Sequence, residues 1–170
     1  MPATLAAPIA SDLLGPLDVP DEARFTFAAG LYGFADRRDF ALVPAGRPGL
    51  WWLQSAEDPT LVFLLADPFP AFPDYAPDVP DAEAAQLGAS LGDASGYASG
   101  YASGHASGHA SRHAPMADLA VLVVVTLGRA GAPATANLQA PVLLHPGTGQ
   151  GRQVVVPDAS LGVQTPIAIG

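Results

Sequence analysis

Apolar residues along this chain fall into short runs broken every few positions by proline, glycine or aspartate, and the runs set the expected elements. Strands are predicted at about Gly15–Val19, Arg24–Phe27, Phe40–Pro44, Leu50–Ser55, Leu61–Asp67, Leu119–Leu127, Ala136–Leu138 continuing to Leu144, and Arg152–Val156. In each, β-branched, aromatic or leucine residues are bounded by turn formers. Val62-Phe-Leu-Leu-Ala66 and Val121 to Val125 are apolar at every position rather than at alternate ones. Both faces of those strands are therefore expected to be covered, and the sheet to close or be backed. One short helix is predicted at Asp81–Leu87, where Asp81 can cap and Glu83 suits the first turn. Between Leu144 and Gln153, His-Pro-Gly-Thr-Gly-Gln-Gly-Arg predicts a hairpin-like reversal. Eight or so short strands with at most one short helix predict an all-β fold, a small closed or partly open antiparallel β-barrel or sandwich.

Composition narrows this picture. The chain has 170 residues, 18 glycines, 18 prolines and no cysteine, which suits one compact domain rich in turns and excludes a disulfide scaffold or a cysteine-ligated metal. Its formal charge is −9, and every cation is arginine. Such a chain is repelled by a phosphate backbone, so no direct nucleic-acid partner is expected. No apolar run approaches the roughly 20 residues of a membrane helix, and the N-terminus lacks the basic start of a signal peptide. A cytoplasmic protein without a membrane partner is expected. Residues 1–12 are expected to be a flexible N-terminus, 13–158 a single domain, and 159–170 a C-terminal tail. The domain is interrupted at 88–115 by a low-complexity insertion of Ala-Ser-Gly-Tyr and Ala-Ser-Gly-His units. All seven phenylalanines and both tryptophans precede that insertion, so they must complete the core that the later strands cover.

Candidate chemistry is sparse. Tyr97, Tyr101, His105, His109 and His113 recur every four residues, and three imidazoles so spaced on a helix could hold zinc or nickel. The glycines at 96, 100, 104 and 108 oppose such a helix by about 1 kcal/mol each, and a passive expansion is the simpler reading. Gly147-Thr-Gly-Gln-Gly151 is followed by a strand and not by the helix a phosphate loop needs, so it is read as a turn. Asp58, Asp67, Asp74 and Asp78 lie beside prolines as turn initiators do. No nucleophile elbow or triad is present, and neither an enzymatic activity nor a cofactor is expected. Gln54 and Asn137 are amides set between apolar runs; each needs a partner, at a neighbouring strand end or at a protein interface. In Asp67-Pro-Phe-Pro-Ala-Phe-Pro-Asp-Tyr75, three prolines stiffen the chain and space Phe69, Phe72 and Tyr75. Those rings either anchor a partner at low entropic cost or roof the barrel.

Six ordered motifs carry a resemblance: Gly30-Leu-Tyr-Gly-Phe34; Trp52-Leu-Gln-Ser55 with Glu57-Asp-Pro59; Asp67-Pro-Phe69 with Phe72-Pro-Asp-Tyr75; Asp118 with the valine strand; Thr135-Ala-Asn-Leu-Gln-Ala-Pro141; and Gly151-Arg-Gln-Val-Val155. In this order they resemble the flagellar assembly factor FliW family over roughly residues 13–158 apart from the insertion. The resemblance implies a small all-β, barrel-like protein without enzymatic activity. It also implies partner switching, in which the protein binds flagellin and the translational repressor CsrA and so relieves repression of flagellin synthesis. Phe69, Phe72, Asp74 and Tyr75, with Gln54, Asn137 and Arg152, are the residues expected to meet a partner. A β-barrel that binds a small ligand is the alternative. Arg152 stands where the family usually has lysine, which keeps the charge and changes the donor geometry. The family's customary ending is replaced by Leu161-Gly-Val-Gln-Thr-Pro-Ile167.

Overall fold

The computed structural model describes residues 7–88 and 119–169. Nine strands form one sheet: β1 Arg24–Thr26, β2 Asp39–Pro44, β3 Leu50–Ser55, β4 Val62–Ala66, β5 Ala120–Thr126, β6 Ala134–Ala136, β7 Val142–His145, β8 Gln150–Gln153 and β9 Thr165–Ile167. Neighbours run β4-β3-β2-β1-β8-β7-β5, and β4 also pairs with β5, so these seven strands close into a barrel while β6 and β9 extend from β5. Pairing is antiparallel except between β1 and β8. A 3-10 turn, Asp21–Ala23, precedes β1, and helix α1 spans Asp81–Gln86. The all-β barrel with a single short helix among the described residues is the fold the sequence predicts.

The fully apolar strands are explained by two cores, one on each face of the same sheet. Along β5, Ala120 and Leu122 point into the barrel with Phe25, Phe27, Phe40, Trp51 and Leu53. Val121, Val123 and Val125 point outward into a second cluster with Leu64, Phe69, Tyr75, Leu87 and Ile167. The period-two alternation is intact; each phase meets a different apolar neighbour, so no position carries a polar residue. The sheet thus both closes and is backed.

Several elements differ from the predicted ones. Gly15–Val19 forms no strand: Leu17 makes an isolated antiparallel bridge with Ile9, and Ile9 is buried in an outer cluster with Val19, Ala23 and Ala41. The stretch Ala136 to Leu144 is two strands, because β6 pairs with the end of β5 and β7 with its start. The chain must step sideways between them, and Asn137 makes the step, donating its N–H to Val124 O and accepting Ala140 N–H at Oδ1. Residues 159–170, expected as a tail, supply β9, whose register sets Ala134 against Ile167 and Ala136 against Thr165. The predicted turn after Leu144 is present: Gly149 N–H donates to His145 O, Thr148 N–H to His145 Nδ1, and Thr148 Oγ1 to Leu87 O, docking the turn on the end of α1.

Candidate functional site

The proline-rich segment resolves as a roof. Tyr75, Pro77 and Val79 turn inward while Ala76, Asp78 and Pro80 face water, a period-two extended strip laid over the outer valines of β5. Phe69 is 5 % and Tyr75 6 % exposed; their rings lie 6.2 Å apart, and Tyr75 Oη donates to Leu138 O at 2.7 Å. Phe72 is half-buried against the same cluster, and Asp74 is exposed. Of the two readings open for these rings, the structure places Phe69 and Tyr75 in the roof. The outer face of β5 exposes too much apolar surface to stand in water, and those rings are what covers it.

The polar residues expected at a partner surface are engaged inside the fold. Gln54 is fully buried, and its Nε2 donates to three carbonyls, of Ser55, Asp58 and Leu61, at 3.0–3.1 Å. It gathers the β3–β4 turn around one amide. Arg152 Nε pairs with Glu83, tying β8 to α1. Gln153 bridges two loops: Nε2 donates to Ala140 O at 3.2 Å, and Oε1 accepts Tyr32 N–H at 3.0 Å. The hydrogen bonds that Gln54 and Asn137 make run to the neighbouring strand end or turn.

The surface that does present aromatic rings is the Gly30–Phe34 turn, part of the first of the six motifs and not among the residues expected to meet a partner. Gly30 and Gly33 both have positive φ, and a Cβ on Gly30 would lie 2.5 Å from Phe34 O. Only glycine permits so tight a loop there. Phe34 N–H returns to Leu31 O at 2.7 Å, and Leu31 is sunk in the barrel core. Tyr32 is left 60 % and Phe34 40 % exposed, yet neither is loosely held: Gln153 fixes the Tyr32 amide, and the Phe34 ring stands edge-on to Phe63 at 5.3 Å. A signal was available in the sequence, since two glycines bracketing an aromatic residue are more than a hairpin needs.

Charge around this turn is locked by the neighbouring loop. Glu57 Oε2 accepts the N–H groups of Arg38 and Asp39, which hold its carboxyl below the usual range. Asp58 accepts the hydroxyl and N–H of Thr60, which likewise lower it, and it faces Arg37 at 3.6 Å. Outside the barrel, a groove of about 620 Å³ opens between the β2–β3 turn, Pro70-Ala71 and the end of β9, with Arg47 and Asp67 on its walls. Among the described residues no cluster of His, Asp and Glu is arranged to hold a metal, and no helix is long and apolar enough to cross a membrane. The four-residue histidine repeat lies outside the described residues.

The FliW protein family model matches residues 8–167. A flagellar assembly factor FliW of Symbiobacterium thermophilum is 33% identical over 148 residues, covering 86% of this chain and 90% of that protein. Its counterpart in Syntrophotalea carbinolica is 34% identical over 155 residues, covering 90% and 92%. A crystal structure of the flagellar assembly factor FliW superposes with a TM-score of 0.74 at 26% identity, covering 94% of this chain and 96% of that one. With the motifs, the barrel and these matches in agreement, the chain belongs to the FliW family of flagellar assembly factors.

Proposed function

We propose that this protein acts in the cytoplasm by exchanging partners, binding flagellin and the translational repressor CsrA and so relieving repression of flagellin synthesis, and that Tyr32 and Phe34 form part of the surface that meets a partner. Family membership supports the flagellar role. The observation that carries the surface is the rigid exposure of two aromatic rings on a turn whose backbone is fixed by Gly30, Leu31 and Gln153. Rings held in place before docking lose little conformational freedom on binding, which is how a few residues come to dominate an interface. The excess negative charge suits a basic RNA-binding protein as one partner by speeding encounter, while docked apolar side chains set lifetime.

A small-ligand barrel requires an internal chamber with convergent polar groups. Phe25, Phe27, Phe40, Trp51 and Leu53 fill the interior instead, which does not favour that reading. The test is a titration in which a flagellin C-terminal fragment is added to the purified protein bound to CsrA. Release of CsrA as flagellin binds is expected; retention of neither partner at micromolar concentration would overturn the proposal. The double variant Tyr32→Ala, Phe34→Ala is expected to weaken capture of at least one partner by about 100-fold or more, the loss associated with two hot-spot rings.

A further inference from the structure

The chain before β1 folds back on itself. Ile9 and Leu17 exchange both backbone hydrogen bonds, at 2.9 and 2.8 Å, Gly15 N–H donates to Ser11 O, and Leu14 N–H to Ser11 Oγ. Residues 9–17 therefore hold their own shape. Their ties to the barrel are slighter: Asp12 N–H donates to Pro59 O at 2.9 Å, and Ile9, Leu17 and Val19 rest on Ala41 and Val43 of β2. Arg24 holds both ends of the hairpin against β1, Nε donating to Val19 O at 3.1 Å and Nη2 to Ala7 O at 2.8 Å, which fixes the place where the hairpin meets the barrel.

Beneath the hairpin lies an unsatisfied acceptor. Gln54 stands opposite Ala41 in the β2–β3 register, so both project to the same outer face, and both are fully buried. While Gln54 Nε2 makes three hydrogen bonds, Oε1 has none among the described residues. A buried carbonyl oxygen without a partner favours any rearrangement that admits water to it. The closed hairpin seals this face; lifting it as a unit sacrifices the Asp12–Pro59 bond and the contact of Ile9, Leu17 and Val19 with β2, keeps the hairpin's own bonds and hydrates Gln54.

We infer that residues 9–19 are a hinged cover that lifts from the outer face of β2 and β3 while the barrel stays folded, pivoting beside Arg24. Lifted, it uncovers Ala41, Val43 and the Gln54 carboxamide oxygen; closed, it hides them. The device gates one face of the barrel and sits apart from the Tyr32–Phe34 turn.

The lack of any native cysteine makes the test direct. Ala41→Cys places a thiol under the cover, and Ala120→Cys places one of similar size inside the barrel, which only global unfolding exposes. With Ellman's reagent under native conditions, Ala41→Cys is expected to react about tenfold or more faster than Ala120→Cys, with little dependence on low urea, as local openings behave. Adding Ile9→Ala is expected to raise the Ala41→Cys rate again and leave that of Ala120→Cys nearly unchanged. In the unaltered chain, hydrogen exchange at the Asp12 amide is expected to outpace that at Leu53. Equal reaction rates for the two thiols, both carrying the full urea slope of global unfolding, would overturn the inference.

Discussion

The ring of Phe27 lies across the backbone of Gly151, so close that a Cβ on Gly151 would meet Phe27 Cζ at 2.5 Å and Cε2 at 2.6 Å. Phe27 has no room to yield. It is fully buried and stands edge-on to Phe40 at 5.2 Å. Gly151 sits in β8, close to the single residue pair, Thr26 with Gln150, that joins β1 to β8 and closes the barrel in parallel. Gly151→Ala is expected to destabilise by about 1–3 kcal/mol through overpacking. Urea unfolding of Gly151→Ala, Phe27→Leu and the pair measures it: the double variant should recover part of the loss, as coupled neighbours do.

Removing the Gln54 side chain is expected to cost more than an ordinary surface change. Gln54→Ala removes the amide hydrogen bonds to the carbonyls of Asp58 and Leu61, which keep only their backbone donors Leu61 N–H and Ser55 N–H, at a turn that Ser55 Oγ also braces through the N–H groups of Glu57 and Asp58. A loss of about 1–3 kcal/mol is expected from the buried side-chain hydrogen bonds given up. Hydrogen exchange should show residues 55–61 opening first while β7 remains protected.

Acid sensitivity follows from two carboxylates at that turn, Glu57 and Asp58, and from Asp158 after β8. Glu57, Asp58 and Asp158 all have folded pKa values lowered by hydrogen bonds to their charged forms: backbone N–H groups of Arg38 and Asp39 at Glu57, and hydroxyl and N–H of Thr60 and Ser160 at the two aspartates. A lowered folded value means stability that is fully present above the unfolded pKa and is lost as pH falls through the folded one. Midpoints of urea unfolding are therefore expected to be flat above pH ~5 and to fall below pH ~4. Glu57→Gln should make that fall shallower.

Arg152 anchors the helix and is not a surface cation. Glu83 and Arg152 are each about three-quarters buried, with side chains 28% and 23% exposed. Arg152→Gln is expected to destabilise by about 1 kcal/mol and to raise exchange in α1 selectively. Glu83→Gln should do the same, and the double variant should cost little more than either alone.

What could be read from the sequence depended on how much of the physics was local. Val121 to Val125 announced two covered faces because a solvated face would need polar residues. The β3–β4 hairpin was legible from Trp51-Trp-Leu-Gln-Ser55 and the Asp58-Pro59 turn. Position in the sheet was not: nothing in Ala134-Thr-Ala136 says that it shares β5 with Val142-Leu-Leu144, since that follows from β5 being long enough to pair twice. Thr165-Pro-Ile167 carries a proline and only three residues, so its strand character comes from docking on β6. Tyr75 is polar enough to suit a surface; its burial is permitted by the distant carbonyl of Leu138, 63 positions along the chain. The exposure of Tyr32 is not legible in the sequence, because it depends on a loop geometry that no pattern of hydrophobicity encodes.

Leu87, one residue past the end of α1, and Leu119, one residue before β5, are both held in the outer cluster, 1% and 0% exposed. The barrel thus grips the polypeptide firmly at both points, so two buried leucines pin the end of α1 and the start of β5 to the same outer face.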